Sequence, residues 1–233
     1  MAEQSVKAQS RPKKRTRKAA ASSGDSSLAS RAYEAIKYKI IILDYPPGEY
    51  LNEAQVSASL GIGRTPVHQA LTRLMLEGMV EVIPRKGVIV KPVSLNEVRE
   101  IIDVRLINEA HAVRLASTLA GQSQIDELER ILVQAEEGTP LMDVEQQMLL
   151  DKQFHIALSA ITKNTVLAEL LKRLHERSLR FWFISLRDPE HVREVLAEHR
   201  RVFDCIKARD PEAAAEAICA HIDSFWRTIT RQV

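Results

Sequence analysis

The sequence has few cysteines, few aromatic residues and no long apolar run. It contains 2 cysteines in 233 residues, Cys205 and Cys219, which are too few for a disulfide framework and indicate a reducing compartment. No apolar run approaches the roughly 20 residues of a membrane span, and no apolar segment of the signal-peptide type stands near the N-terminus. We therefore expect a cytoplasmic protein without a membrane anchor. Aromatic residues make up 5% of the chain, and the apolar 45% is mainly Leu, Ala, Ile and Val, which favours a helical core.

The charge is close to balanced overall but is divided unevenly along the chain. The formal net charge is +2, yet residues 1–93 carry 15 basic and 8 acidic side chains, whereas residues 94–233 carry 18 basic and 23 acidic ones. A basic N-terminal part favours contact with phosphates, and an acidic remainder is repelled by them. The stretch from Lys7 to Lys18 holds seven of these cations and lies in residues 1–27, which we predict to be a disordered tail. This tail either contacts a nucleic-acid backbone or only aids solubility.

Residues 53–90 have the pattern of two short helices followed by a β-hairpin. A first helix is predicted up to the turn GIG, and Thr65 and Pro66 predict the N-cap and the first turn of a second helix. Its apolar positions recur every three or four residues until Gly78 ends it. Two β-branched runs then flank the letters PRKG, which predict a hairpin tip carrying two cations. This is the layout of a winged helix-turn-helix, although an ordinary helical hairpin beside a small sheet has the same periodicity.

The stretch PPGEYLNEAQVSASLGIGRTPVHQALTRLMLEGMVEVIPRKGVIV resembles the winged-helix domain of the GntR family of bacterial transcription regulators. The resemblance implies that the residues opening the recognition helix, Arg64 and Thr65, contact DNA. His68 replaces a second arginine of the family pattern, so we expect it to make a different contact from that arginine. Ala54 stands where some relatives have another DNA-contacting arginine, and that contact is not carried over. The predicted DNA-binding residues are Arg64, Thr65, Pro66, His68, Gln69 and Arg73 on the helix and Arg85, Lys86 and Gly87 on the wing.

The second part of the chain has no strand signal and predicts six helices. Ser94 and Glu97 have the spacing of a capping box at the start of the first one. The predicted helices cover about 95–120, 122–137, 141–161, 164–186, 189–208 and 211–230. With a further helix from Ser30 to Leu43, we predict a mainly α protein with two domains. A winged helix-turn-helix of three helices and a hairpin covers residues 28–92, and an all-helical bundle able to enclose a pocket covers residues 95–230.

Four polar residues of the bundle lie among apolar ones. Asp151 and His155 stand four apart on one helix face, and His199 and His221 each lie in mid-helix with apolar neighbours at helical spacing. Buried polar groups need partners, and three imidazoles with one carboxylate would form a divalent transition-metal site. Alternatively, each is a solitary polar residue hydrogen-bonded to a neighbour. The remaining histidines of the bundle have no partner at ligand spacing and are interpreted as structural: His111, His175 and His191.

Residues 95–230 also resemble the FCD effector domain of the FadR subfamily. Metal-binding members of that subfamily carry Asp-x3-His on one helix and one histidine on each of two later helices. The resemblance implies a divalent metal ion, zinc first with nickel or manganese as alternatives. The implied ligands are Asp151, His155, His199 and His221. The stretch DVRLINEAHAVRLAS is similar to the first helix of that domain, and Arg105 within it is expected at the effector pocket.

The two resemblances together imply a ligand-responsive transcription regulator, by default a repressor. It would bind a palindromic DNA operator as a homodimer and sense a small carboxylate through the metal-containing pocket, with no membrane partner. The rival interpretation is a metalloenzyme, in which three histidines and one aspartate with open positions activate water or oxygen. A third is an architectural DNA-binding protein without a ligand. We expect the regulator, because an enzyme has no need of a winged helix and no separate general base or nucleophile stands out.

Overall fold

A computed structural model describes residues 27–92, 94–138, 143–185 and 189–232. Within these ranges the chain forms nine helices and three short strands, and the predicted fold class is confirmed. The tail predicted for residues 1–27 lies outside the described residues except for Ser27, which caps the first helix. In chain order the elements are α1 Leu28–Ile41, β1 Tyr50–Leu51, α2 Glu53–Leu60, α3 Arg64–Leu76, β2 Val80–Ile83, β3 Gly87–Val90, α4 Leu95–Leu119, α5 Gln122–Gly138, α6 Val144–Ile161, α7 Thr165–Ser185, α8 Pro189–Lys207 and α9 Pro211–Gln232.

Helices α1 to α3 form the helix-turn-helix framework, in which the apolar stripe of α3 packs against α1. Helix α2 ends at Gly61, whose φ of 62° lies in the left-handed region that costs glycine nothing. Helix α3 begins at Arg64 with Gly63 as its N-cap, so the prediction that Thr65 is the N-cap is wrong. Pro66 nevertheless lies in the first turn, where backbone N–H groups have no partner inside the helix and a missing N–H is tolerated.

The wing is a three-stranded antiparallel sheet in the order β1-β3-β2. Strands β2 and β3 form the predicted hairpin, and Arg85 at its tip has a φ of 66°. The sequence did not predict strand β1, because two residues, Tyr50 and Leu51, are too short to show a period. Backbone pairing of Leu51 with Val88 adds this strand to the outer edge of β3.

Helix α4 is the centre of the second domain. It runs along α9 and also contacts α6, α7 and α8, while α5 packs against α6 and α8. Phe154, Phe203 and Phe225, from α6, α8 and α9, are each 1% exposed and fill the space between these helices. Burying a side chain of this size contributes roughly 1.5–3 kcal/mol. None of the described helices is both long and apolar enough to cross a lipid bilayer.

The capping box predicted at the start of α4 is not formed. Ser94 is the N-cap, but its side chain accepts no capping hydrogen bond. The carboxylate of Glu97 instead contacts Arg177 Nη2 at 2.5 Å and Lys91 Nζ at 3.1 Å. Burial would raise the pKa of Glu97, but these two cations lower it below its ordinary value. Glu97 therefore links the end of the wing to α7 rather than capping its own helix.

A partly buried group of polar side chains joins the two domains, and we call it the interdomain network: Tyr33, Lys37, Glu77, Lys152 and Glu176. Lys37 of α1 is 3% exposed, and its Nζ lies 2.6 Å from Glu176 Oε2 on α7 and 2.6 Å from the Tyr33 hydroxyl. Glu77 accepts a hydrogen bond from Tyr33, and Lys152 Nζ lies 3.2 Å from Glu176 Oε1. Burial disfavours the charge on Lys37, but contacts with Glu176 and Tyr33 raise its pKa.

We expect the interdomain network to couple Lys37 and Glu176 energetically. Glu176→Leu should lower the free energy of unfolding by about 3 kcal/mol, because it deprives a buried ammonium of its nearest counter-charge. The double variant Lys37→Met/Glu176→Leu should cost less, because both charges of the pair are gone. Urea denaturation of the full chain measures both, and a double variant that costs as much as Glu176→Leu or more would contradict the prediction. As a control, Lys39→Met removes an exposed pair with Asp44 and should cost less than about 1 kcal/mol.

Candidate functional site

The N-terminal end of α3 presents a polar surface to solvent. Arg64, Thr65, His68 and Gln69 are exposed, and Pro66 is half-buried beneath them. Their exposure follows from the apolar stripe on the opposite side of the helix, which packs on α1. A helix that enters a major groove contacts base edges with this end, so these side chains are placed as predicted for DNA contact.

Two predicted DNA-binding residues of α3 already contact the protein itself. His68 Nδ1 lies 2.8 Å from Glu53 Oε1, at the start of α2. The guanidinium of Arg73 lies 3.5 Å from the centre of the Tyr33 ring and donates from Nε to Glu77 Oε1 at 3.2 Å. Arg73 is therefore held against α1, two turns from the exposed N-terminal end. Contact between Arg73 and DNA remains a prediction, whereas the structure shows Arg73 in contact with Tyr33 and Glu77.

The predicted wing residues lie at the tip of the β2–β3 hairpin. Arg85 and Lys86 are exposed, and Gly87 begins β3 with a φ of 102°. That backbone angle is strained for any residue with a Cβ atom, so glycine fits the position. The two cations extend from the same domain as the exposed end of α3, which suits contact with a phosphate backbone beside the groove.

Three of the predicted metal ligands meet inside the bundle. His155 of α6, His199 of α8 and His221 of α9 are 8%, 2% and 1% exposed. Their ring nitrogens offer ligand atoms that lie within 4.8 Å of one another. The Nε2 atoms of His155 and His199 are 3.3 Å apart, and the ring centres of His199 and His221 are 4.5 Å apart. The structure thus brings together residues that are 44 and 22 positions apart in the sequence.

The predicted ligand Asp151 joins this group from one side, together with a histidine that the sequence interpretation missed. Asp151 Oδ1 lies 3.5 Å from His199 Nε2, and its Oδ2 lies 3.3 Å from His175 Nε2 on α7. The interpretation of His175 as lacking a partner is therefore wrong. A signal was present, because Leu171 and Leu179 flank His175 at the same helical spacing that marked His199.

Carboxylates stand behind two of the three clustered rings. His155 Nδ1 lies 3.3 Å from Glu109 Oε2, and His221 Nδ1 lies 2.9 Å from Glu198 Oε2. With Nδ1 directed to a carboxylate, Nε2 is the nitrogen available for a metal, an arrangement common at metal-binding histidines. Arg105 Nε donates to Glu109 Oε1 at 2.5 Å and so fixes that carboxylate.

Burial lowers the pKa of three of these histidines. The pKa of His221 falls to about 3, mainly because of burial and secondarily because of the charge of His155. Burial also lowers the pKa of His199 well below its ordinary value and lowers that of His175. At neutral pH these rings are therefore neutral, which is the state that a metal ion requires.

The two carboxyl groups of the cluster have lowered pKa values despite their burial. Burial would raise the pKa of Asp151, but contact with His175 and the charges of the other rings lower it below its ordinary value. Burial opposes ionisation of Glu109 as well, and the charge of Arg105 with the contact to His155 holds its pKa well below the usual range. The Asp151 carboxyl group is thus ionised at neutral pH, as a metal ligand would need to be.

Two pockets reach the cluster. One lies between α5, α6 and α8, where apolar side chains surround Asp151 and His199. The other lies between α4, α6 and α7 and includes Glu109, His155 and His175. Both are narrow, with volumes of about 20 Å³ and 10 Å³, so a ligand larger than a water molecule would have to displace side chains to reach the cluster.

Arg105, the predicted effector-pocket residue, lies beside the cluster and is 1% exposed. Its charge helps to lower the pKa of His175 and of His221. Its Nη1 and Nη2 atoms have no hydrogen-bond partner among the described residues. Buried donors of this kind are costly, and the planar fork of a guanidinium matches the two oxygens of a carboxylate.

Comparison with known families matches both parts of the chain. Residues 28–90 match the bacterial regulatory proteins of the gntR family, and residues 100–224 match the FCD domain. The first match covers α1 to the end of the wing. The second covers most of the bundle, including the histidine cluster and Arg105.

Proteins of similar sequence include transcriptional regulators. The Nta operon transcriptional regulator of Aminobacter aminovorans is 29% identical over 185 residues, which are 79% of this chain and 86% of that protein. The HTH-type transcriptional repressor RspR of Escherichia coli is 24% identical over 201 residues, 86% of this chain and 88% of that one. The solved structure of E. coli McbR/YncC has a TM-score of 0.80 at 23% identity, with 89% of this chain and 99% of that chain covered. This last likeness shows that the fold is shared.

We expect Arg64 to contribute directly to DNA affinity, because it is exposed at the first position of α3. Arg64→Ala should cost about 1–3 kcal/mol of binding free energy if its guanidinium contacts a guanine edge. A gel-shift titration at fixed salt, with a duplex selected from random sequences by the unaltered protein, measures the effect. Arg130→Ala is a matched control, because Arg130 is an exposed arginine of α5 paired with Glu127. Equal affinity of the Arg64 and Arg130 variants would contradict the assignment.

Proposed function

The chain belongs to the gntR family of bacterial regulatory proteins and carries an FCD domain, and from this premise we propose that it is a repressor released by a small carboxylate. Membership of the family makes it a DNA-binding transcriptional regulator. The metalloenzyme alternative is set aside, because the relatives and structural neighbours are transcriptional regulators. The buried cluster of three histidines and Asp151 is the observation that carries the sensing part of the proposal. Because its target is chromosomal DNA, we place the protein in the cytoplasm.

We propose that the cluster holds one divalent metal ion. His155, His199 and His221 would supply ring nitrogens, and Asp151 would supply a carboxylate oxygen. The residues fit such an ion, because both oxygens of Asp151 are buried without a satisfied hydrogen bond among the described residues, and the imidazoles beside them are suited to zinc, nickel or manganese. Zinc is the first choice for three nitrogen donors and one oxygen donor. A bound ion would join α6, α8 and α9 and offer open positions to a hard oxygen donor.

The effector that fits this centre is a small carboxylate. Its oxygens would occupy open coordination positions, and the two unpartnered nitrogens of Arg105 would bind a carboxylate as a fork. The apolar lining of the pocket beside Asp151 and His199 favours a compact, partly apolar organic acid over a highly charged one. Genes next to the coding sequence are the natural source of candidate acids, since regulators of this kind often control neighbouring pathways.

Binding to a palindromic operator requires two copies of the winged helix. One recognition helix reads few base pairs, and a two-fold dimer places two such helices on half-sites related by the same symmetry. Helix α4 offers a surface for a second copy, because Val104, Ile107 and Leu119 are 40%, 74% and 41% exposed on it. We propose that this side of α4 forms the dimer interface, with the identical surface of a second chain as its partner.

Charge on the exposed side of α4 should therefore separate the dimer. Ile107→Glu would bury an unpaired carboxylate twice in a symmetric interface, which is strongly unfavourable. We expect the unaltered full-length chain to be a dimer at micromolar concentration and the variant to be a monomer in sedimentation equilibrium. Val166→Glu is the matched control, because Val166 is 76% exposed on α7, outside the proposed interface. If both variants stay dimeric, the interface lies elsewhere.

The interdomain network gives this sensor a physical connection to the DNA-binding domain. Lys152 follows Asp151 on α6, and Glu176 follows His175 on α7, while Lys152 and Glu176 lie 3.2 Å apart. Each helix thus places one residue at the cluster and the next one in the interdomain network, where Glu176 contacts Lys37 of α1. We propose that effector binding shifts these two helices and changes the placement of the winged helix. By linkage, DNA binding would weaken effector binding by the same factor.

The proposal is tested by metal content, melting and operator release. His199→Ala and His221→Ala should lose the ion and the effector response together, while DNA binding persists. Chelation should lower the melting temperature of the unaltered protein, because polar groups then lie buried without partners. Elemental analysis gives the metal content, and release of the selected duplex by a panel of small organic acids gives the response. His68→Ala, an exposed histidine of α3, should keep the full metal content.

Two outcomes would separate the parts of this proposal. A chelated protein that takes up no Zn, Ni or Mn and melts at the same temperature with and without them has no metal centre. If metal is present but the His199 and His221 variants still respond to an acid, the ion is structural and the effector binds elsewhere. The assignment of Arg105 is checked by Arg105→Lys, which keeps the charge but loses the planar fork and should reduce acid affinity.

A further inference from the structure

We infer that His175 is a positioning residue of the proposed metal centre, which holds Asp151 through Oδ2 so that Oδ1 is directed at the clustered histidines. The inference rests on the proposed function, because it assigns a role beside the proposed metal ligands. The ligand set implied by the family resemblance does not include His175. His175 lies on α7, which carries none of the implied ligands, so it would connect a fourth helix to the metal centre.

The geometry around Asp151 divides its two oxygens between two rings. Oδ1 lies 3.5 Å from His199 Nε2, and Oδ2 lies 3.3 Å from His175 Nε2. Asp151 is 7% exposed and His175 is 3% exposed, so water has little access to either group. A carboxylate that binds a metal through one oxygen is kept in orientation when its other oxygen accepts a hydrogen bond. His175 Nε2 lies within reach of that oxygen, and neither atom has a hydrogen-bond partner among the described residues, so this nitrogen is the donor available to it.

His175 lies outside the group formed by the three clustered histidines. His155, His199 and His221 have ligand atoms within 4.8 Å of one another, whereas His175 forms a separate group with Asp151 and His155 under the same limit. With metal–nitrogen distances of about 2.0–2.1 Å, two nitrogens on one zinc ion are at most ~4.2 Å apart. Asp151 lies outside that group as well, but its Oδ1 is 3.5 Å from His199 Nε2, so we assign coordination to Asp151 and the orienting contact to His175.

The same type of support is present at two other members of the centre. Glu109 on α4 faces His155 Nδ1, and Glu198 on α8 faces His221 Nδ1. At Asp151 the roles of the two residue types are reversed, with a histidine supporting a carboxylate. The contact between the rings of His175 and His155, whose centres are 4.7 Å apart, limits the movement of His175.

The inference is tested on the full-length chain with Co²⁺ as the probe. After chelation, Co²⁺ is titrated and its visible absorption is recorded for the unaltered protein and for single and double variants. His175→Leu removes the donor and should weaken Co²⁺ binding about 10–100-fold, the usual effect of losing an outer contact to a ligand. His175→Gln places an amide donor near the same position and should recover most of the affinity.

A double variant separates positioning from general damage. Since His175 is inferred to act through Asp151, Asp151→Ala/His175→Leu should bind Co²⁺ as weakly as Asp151→Ala alone. Damage to the fold would instead weaken binding in both backgrounds, and circular dichroism with melting of the metal-free forms detects such damage directly. His199→Ala should lose nearly all binding and serves as the reference for a lost ligand.

Three results would overturn the role of His175 while leaving the metal centre intact. These are unchanged Co²⁺ affinity in His175→Leu, an equal loss in the Asp151→Ala background, or one fewer imidazole around Co²⁺ by X-ray absorption in His175→Gln. The last result would make His175 a direct ligand. An unaltered protein that binds no Co²⁺, and that behaves like His199→Ala, overturns the metal centre itself and the role of His175 with it.

Discussion

The burial of ionisable side chains in the helical bundle is the constraint on which the rest of the structure depends. Asp151 and the three clustered histidines are buried, and the ring of Phe154 packs against His155 and His199. A charged or polar group without a partner is costly in such surroundings. Helices α6, α8 and α9 satisfy this constraint only in positions that bring the rings within reach of one another. The outer carboxylates, Glu109 and Glu198, then fix the orientation of two rings. The polar centre therefore restricts how the apolar helices pack, and apolar packing alone does not specify that arrangement.

The same constraint places the buried cluster, which is the proposed sensing site, and the contact between the domains on the same two helices. Consecutive residues of an α-helix point about 100° apart around its axis. On α6 this places Asp151 at the cluster and Lys152 at the interdomain network, and on α7 it does the same for His175 and Glu176. A displacement of either helix changes both contacts at once, because no flexible segment separates the two residues. The buried cluster is thus connected to α1 without a long series of intervening residues.

Patterns among neighbouring residues predicted the helices of the bundle well. They failed where a residue distant in the sequence contacts the side chain instead. The six bundle helices begin and end within three residues of their predicted bounds, because apolar periodicity and helix breaks are local properties. The capping box failed because Arg177, 80 residues away, takes the Glu97 carboxylate. Asp151 and His155 were recognised as a pair because they stand at i and i+4, whereas His199 and His221 joined the predicted ligand set through the family resemblance.

His175 and the interdomain network were missed for the same physical reason. Asp151 and His175 lie on different helices, and Lys37 and Glu176 are 139 positions apart. Neither pairing leaves a period or a fixed spacing in the sequence. Both become evident only when helix packing has determined which faces meet. The predicted ligand set therefore did not include the residue on α7 that contacts Asp151.

The interdomain network also sets the energetic scale on which a ligand can act. Allosteric coupling between two sites is typically about 1–3 kcal/mol, whereas removing one partner of a fully buried ion pair costs about 3–5 kcal/mol. Lys37 shares its charge among Glu176, Glu77 and the Tyr33 hydroxyl, and the Glu77 side chain remains 24% exposed. When one of these contacts is lost, the others partly compensate for it. The free energy needed to separate Lys37 from Glu176 is therefore lowered toward the range that binding of a small acid supplies. A helix shift of about 1–2 Å is enough to lengthen the Lys37–Glu176 contact beyond hydrogen-bond range. Because α1 packs directly on α3, such a shift changes how the recognition helix is held without requiring the winged helix itself to unfold.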